Sequence, residues 1–312
     1  MKRGGEPQVG EAFSLKLADG QKWKIMADGR AGDFLGKMAF ILQIKRCGNG
    51  TGRNLIIVRD GYRVADAPKI NPPFPCTSLP KTGWSQQGFM DVRCWRHHDV
   101  ADIICDIGDE ECPEIEFAKM QTLVCLIYQD VKGNGGLPLH AALVERNGRG
   151  AVISAKGGTG KSTCCQRIAP PWQALCDDET VVVRSKTGEF MAHPFPTWSR
   201  YTSGHSSETW NVQKRIPLMA IFFLEQSTAD EVVPLGDGET AVLLTDAIAD
   251  SWRNFGMRYH GREKRPFRAR VFENACELAK TVPAYRLKAS LTGRFWEKME
   301  EVLGETGLAE AL

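Results

Sequence analysis

Apolar and polar residues alternate with a period of two near the start of the chain. Phe13-Ser-Leu-Lys-Leu has this rhythm, Asp19-Gly20 marks a tight turn, and Lys22-Trp-Lys-Ile-Met resumes it, which together predict a hairpin. Leu55-Ile-Ile-Val reads as another short strand, followed by a turn at Asp60-Gly61. Residues 67–90 are rich in Pro, Ser, Thr and Gly and are expected to form a loop. The pattern changes at Pro113. From there Ile115, Phe117, Met120, Leu123, Val124, Ile127 and Val131 recur at helical spacing, and Gly133 supplies a stop. Strands are expected at 139–144 and 150–154 around the turn Asn147-Gly148, then at 174–176, 181–183, 218–224 and 285–289. A short helix between them ends at Pro170-Pro171. Ala241, Leu244, Ile248 and Trp252 predict a late helix, and Phe295, Trp296, Met299, Val302 and Leu303 predict the last, with Gly304 at its end. The pattern predicts a small β-rich α+β module over residues 1–112 and an α/β domain over 113–312.

Composition narrows the classes. A chain of 312 residues can form a substantial core, as one large domain or two ordinary ones. Forty Lys+Arg against 38 Asp+Glu leave a formal net charge of +2, which argues against a nucleic-acid partner, since phosphate contacts need a basic excess. No apolar run is long enough to span a bilayer, and the basic tip Met1-Lys-Arg is not followed by an apolar segment, so a soluble cytoplasmic protein with no membrane partner is expected. The ten cysteines then read as reduced thiols. Cys94, His97, His98, Cys105 and Cys112 lie close in sequence, but only the Cys94/His97 step approaches zinc spacing, so the reading expected over a zinc site is that of ordinary thiols and imidazoles.

The candidate chemistry begins at Ala155-Lys-Gly-Gly-Thr-Gly-Lys161-Ser162-Thr163. It fits the phosphate-binding pattern G-x-x-x-x-G-K-[ST] with Ala for the first Gly, after an apolar strand and before a helix, as that pattern requires. Gly157, Gly158 and Gly160 are expected to let the backbone take positive φ and turn several N–H groups towards one centre, with Thr159 and Thr163 in the same cradle. Lys161 is expected to face the β- and γ-phosphates of a nucleotide, ATP in the first instance, and Ser162 to offer a hydroxyl oxygen to Mg²⁺. Asp177 and Asp178 end a short strand sixteen positions beyond Lys161. Two adjacent carboxylates there can divide metal holding from proton acceptance, or can simply mark a surface turn.

His140, one strand upstream, would sit near the root of the loop if the two strands pair through Asn147-Gly148. It could there donate to a phosphate or be a satisfied core residue. Residues 192–200, with Pro196-Thr-Trp-Ser-Arg200, either line an acceptor site or connect elements. His193 and His205 read as structural, and Arg262-Glu-Lys-Arg265 as a solvated turn.

The order His140, phosphate loop, Asp177-Asp178 resembles the HPr serine kinase family, whose fold is related to phosphoenolpyruvate carboxykinase. The combination His140-Ala-Ala, Gly157-Gly-Thr-Gly-Lys-Ser-Thr, Cys176-Asp-Asp-Glu, Pro196-Thr-Trp-Ser-Arg and Phe222-Phe-Leu-Glu-Gln resembles more closely the SynChlorMet cassette protein ScmC family, HPr-kinase-like members of peptide-modification cassettes. The resemblance implies a P-loop kinase core that uses ATP and Mg²⁺, with His140 at the phosphates, Asp177 as general base, and Ser162 and Asp178 at the metal. It also implies transfer to a serine hydroxyl of a peptide or small protein. A nucleotide-binding regulator or scaffold, and a kinase for a free serine-type metabolite, are the alternatives. The expected partners are a nucleotide and the peptide or small-protein acceptor, with homo-oligomerisation as a further candidate.

Overall fold

The computed structural model describes residues 11–48, 52–61, 72–73, 79–89, 92–109, 112–203, 207–253 and 264–305. His205, Arg262 and Glu263 lie outside them. The first run of elements is β1 (Ala12–Lys16), β2 (Lys22–Ala27), α1 (Gly32–Ile41), β3 (Lys45–Cys47), β4 (Arg53–Val58), β5 (Trp84–Phe89), β6 (Val92–His97), β7 (Ile103–Asp106) and α2 (Pro113–Gly133). The second is β8 (Leu137–Arg146), β9 (Arg149–Ser154), α3 (Lys161–Arg167), β10 (Gln173–Cys176), β11 (Glu179–Arg184), β12 (Phe190–Phe195), α4 (Trp198–Thr202), β13 (Ile216–Gln226), β14 (Glu231–Pro234), α5 (Asp237–Arg253), α6 (Lys264–Thr281), β15 (Ala284–Ala289) and α7 (Phe295–Glu305). The chain divides into two compact units: Met1–Leu126 with Trp198–Gln213, and Ile127–Thr197 with Lys214–Leu312.

The first unit is built on a seven-stranded mixed sheet in the order β3-β1-β2-β4-β7-β6-β5. The β1–β2 hairpin pairs Phe13 with Ile25 and Leu15 with Trp23, as the alternation requires. The second strand is then parallel to β4, and β4 to β7, giving the unit its α/β centre. One difference from expectation is β5, which occupies the end of the segment expected to be loop. Trp84-Ser-Gln-Gln-Gly-Phe carries little apolar signal because β5 is an edge strand, held through its pairing with β6. Cys94 and Cys105 face each other across β6 and β7, both buried, with sulfurs 3.5 Å apart. Among the described residues the cysteines are free thiols.

The second unit holds an eight-stranded sheet whose two long strands organise it. The N-terminal half of β8 pairs with β11, and its C-terminal half with β9 and β10. Strand β13 pairs at its start with β12 and further along with β9 and β15, so pairings β8–β9–β13–β12–β11–β8 close a ring. The expected Asn147-Gly148 turn is present: both residues have positive φ, 51° and 77°, as a two-residue hairpin turn of this kind needs. A core of Val144, Ile153, Trp172, Phe222, Leu287, Phe295 and Met299 joins the sheet to α3 and α7. His193 is fully buried in β12, in keeping with its structural reading. Lys264 and Arg265, expected in a solvated turn, begin α6 instead.

Candidate functional site

The site gathers where β8 changes partner. His140 is in register with Glu179 of β11, and the next residue, Ala141, with Ser154 at the end of β9. The glycine-rich loop therefore starts beside His140, as the hairpin pairing predicts. On the other side of that change, β10 ends at Cys176 and β11 begins at Glu179, so Asp177 and Asp178 fill the bend between two strands that both pair with β8. Three segments distant in sequence meet at one place because one strand carries all three.

Within the loop, Gly158 and Gly160 have φ of 79° and 114°, conformations that an L side chain resists. Gly157 has no positive φ, so two of the three expected positions carry the demand. Gly160 precedes α3, Lys161 opens it, and the Cys164 amide donates back to the Gly160 carbonyl at 2.9 Å. Gln226 Nε2, at the end of β13, donates to the Thr159 carbonyl at 3.2 Å and ties the tip of the loop to its neighbouring strand. Ser162 and Thr163 are exposed at the start of α3.

Lys161 is 6% exposed, and its Nζ donates to the Ala155 carbonyl at 2.9 Å. Burial lowers its pKa by disfavouring the ammonium, and the carboxylates of Asp178, Glu179, Asp250 and Asp177 act in the opposite direction, in that order. Four carboxylates are thus electrostatically coupled to one lysine. Asp178 Oδ1 accepts from His140 Nε2 at 2.9 Å, while Asp177 Oδ1 accepts from the Thr197 hydroxyl. His140 is buried, and its Nδ1 has no hydrogen-bond partner among the described residues. A buried His that fixes a carboxylate by a hydrogen bond is the kind of support that orients metal ligands.

The residues fit a metal–nucleotide complex. The loop offers backbone turned by left-handed glycines for phosphates, and the bend beside it supplies carboxylates, Asp178 held by His140, that would hold a divalent ion. Beside the loop opens a cavity of about 710 Å³, lined by residues 154–159, by Glu225 and Gln226, and by Asp246, Asp250 and Arg286. Its one arginine is already ion-paired with Glu225 and Glu239.

A family model described as SynChlorMet cassette protein ScmC matches residues 103–304. The chain belongs to the SynChlorMet cassette protein ScmC family. The match takes in every residue of the loop, His140 and the two aspartates. No curated protein matches the chain.

Several residues of this ScmC family member that share the site had no role assigned to them from the sequence. Thr197 looks like part of a Pro-rich connection, and Asp250 like an exposed position on a helix. Glu225 closes the apolar run of β13, a pattern that was visible, but which strand lies next to the loop is not written in the chain. Arg200, at the end of the stretch expected either to line an acceptor site or to connect elements, is ion-paired with Glu208. In the cysteine–histidine cluster, His97, His98 and Asp99 bring ligand atoms within 4.8 Å of one another. Both ring nitrogens of His97 are engaged by backbone, however: Nε2 by the Thr82 carbonyl at 2.7 Å and Nδ1 by the Asp99 amide at 3.0 Å. Cys112 donates to Glu114 instead. No helix among the described residues is long and apolar enough to cross a membrane.

Proposed function

We propose that this protein is an ATP- and Mg²⁺-dependent serine kinase with a P-loop core of the HPr kinase/phosphoenolpyruvate carboxykinase type. Its acceptor is the serine hydroxyl of a peptide or small protein in a peptide-modification pathway. The observation that carries the reading is the meeting, at one change of strand partner, of the Lys161 loop with the Asp177-Asp178 bend. Residues 157–163 cradle the phosphates, with Lys161 as the point charge on the β- and γ-oxygens. Ser162 and Asp178 would hold Mg²⁺, which supplies charge neutralisation when bound, and His140 holds Asp178 in place.

Asp177 then has the remaining task. A serine hydroxyl is a weak nucleophile at neutral pH unless its proton leaves as the new bond forms. Asp177 accepts that proton while the serine oxygen bonds to the γ-phosphorus and the bond to the ADP oxygen breaks. Asp177→Asn keeps the shape and loses the basicity. It is expected to retain Mg-ATP affinity and to lose about 10²–10⁴ in transfer rate. The assay is mass spectrometry of serine-containing peptides from the same gene neighbourhood after incubation with Mg-ATP. Loss of nucleotide binding in the variant would instead make Asp177 the metal residue. Transfer at the parent rate would remove the pair from the chemistry, and a parent that binds ATP without transferring it would be a nucleotide-sensing regulator.

A further inference from the structure

The hairpin of β11 and β12 is in register over Glu179↔Phe195, Thr180↔Pro194 and onwards to Arg184↔Phe190. Continued two residues past its open end, the same register sets Asp177 opposite Thr197. There the Thr197 hydroxyl donates to Asp177 Oδ1. Both side chains are buried, each 5% exposed. Asp177 lies in the bend just before β11 and Thr197 just after β12, so the paired strands bring the two ends of this hydrogen bond together from two residues away. Threonine suits the position physically, because its branched Cβ restricts χ1 and so fixes where the hydroxyl lies. An ionised carboxylate only accepts, so the hydroxyl proton has one direction to take.

We infer that Thr197 is a positioning residue for phosphate transfer. The terminal torsion of an aspartate is soft and roughly two-fold, so an unrestrained carboxylate samples many directions for its lone pairs. A donor on Oδ1 fixes that torsion and thereby the direction in which Asp177 meets the acceptor proton. Acid–base steps are sensitive to such placement, and displacements of about 1 Å cost up to about 10²-fold in rate. Thr197 touches neither phosphate nor acceptor in this account; it acts through Asp177. The inference rests on the kinase reading above and adds to it a role for Thr197, to which no site role was expected from the sequence.

The test uses the full-length protein and five forms: parent, Thr197→Val, Thr197→Ser, Asp177→Asn and the Thr197→Val/Asp177→Asn double variant. For each, Mg-ATP affinity, the rate of phosphate transfer to peptide or to water, and the thermal midpoint are measured. Valine keeps the branched shape without the donor, and serine keeps the donor without the methyl group. Thr197→Val is expected to slow transfer about 10- to 100-fold with Mg-ATP affinity unchanged within about twofold. Thr197→Ser should recover most of that loss. In the double variant the valine should add nothing to the effect of Asp177→Asn, since the residue it serves is already disabled. The inference is overturned by Thr197→Val transferring at the parent rate, by serine failing to rescue, or by additive losses in the double variant. A parent that never releases phosphate from ATP defeats the kinase reading and this inference with it. An active parent with an equally active valine variant defeats the inference alone.

Discussion

At the scale of single residues, the cysteine before the two aspartates shows how protected this site is. Cys176 is buried, and its Sγ donates to the Glu179 carbonyl at 3.0 Å. Burial pushes its thiol up to about 12, from an ordinary value of 9.0. The unfolded chain therefore loses this proton more readily than the folded one. The resulting stability is complete below pH 9.0 and is lost as the pH rises through about 12. In urea unfolding, the parent is expected to lose more stability between neutral pH and about pH 10 than Cys176→Ala does, since only the parent carries this proton linkage. Thiol reagents should separate the cysteines in the same way. Exposed Cys112 is expected to react in the native protein, whereas Cys176 and Cys164, the latter raised to about 11 by burial, should react only after denaturation. Modification of native Cys176 at a rate close to that of Cys112 would contradict the buried bend.

At the scale of elements, the loop and α3 rest on backbone that only glycine adopts easily. Gly160 has φ of 114°, and a Cβ added there meets nothing within 4 Å, so the cost of Gly160→Ala is conformational alone. A loss of about 1–2 kcal/mol is expected by chemical denaturation, with weakened Mg-ATP binding as the amides turn away. Unchanged stability and unchanged binding would mean that the loop does not need this turn. This element was also the most legible one, because its glycines, lysine and flanking strand and helix are all local in sequence. The hairpin at Asn147-Gly148 was legible for the same reason. The elements that were hard to read are those whose signal is diluted by exposure or by proline. Edge strand β3 is Lys45-Arg-Cys, β5 is mostly polar, β12 carries Pro194, and α6 is rich in charge. The Thr197–Asp177 contact was illegible in principle. It joins residues that flank the paired ends of β11 and β12, and no spacing rule connects the two positions.

For the molecule as a whole, the loop belongs to a unit with its own buried core, and occupancy of the loop should be felt in that unit's melting. A ligand that binds only the folded form stabilises it by mass action, by about 2.7 kcal/mol at a concentration a hundred times the dissociation constant. At that concentration Mg-ATP is expected to raise the thermal midpoint by about 5–11 °C, on the scale of about 2–4 °C per kcal/mol for a unit of this size. Chelating the metal should remove much of the gain, and Lys161→Ala should remove nearly all of it. A midpoint that does not move with saturating nucleotide would argue against a nucleotide site in the loop. The partner change of β8 between His140 and Ala141 also bears on which edits to the chain the fold can absorb. Side chains along a strand alternate faces, so deleting one residue between 137 and 140 would turn His140 away from Asp178 and break its step with Glu179. Lengthening the far end, at Asn147-Gly148, changes neither pairing at the site. Libraries that insert or remove single residues should therefore show sharp intolerance over 137–141 and permissiveness at 147–148, although both stretches belong to the same hairpin.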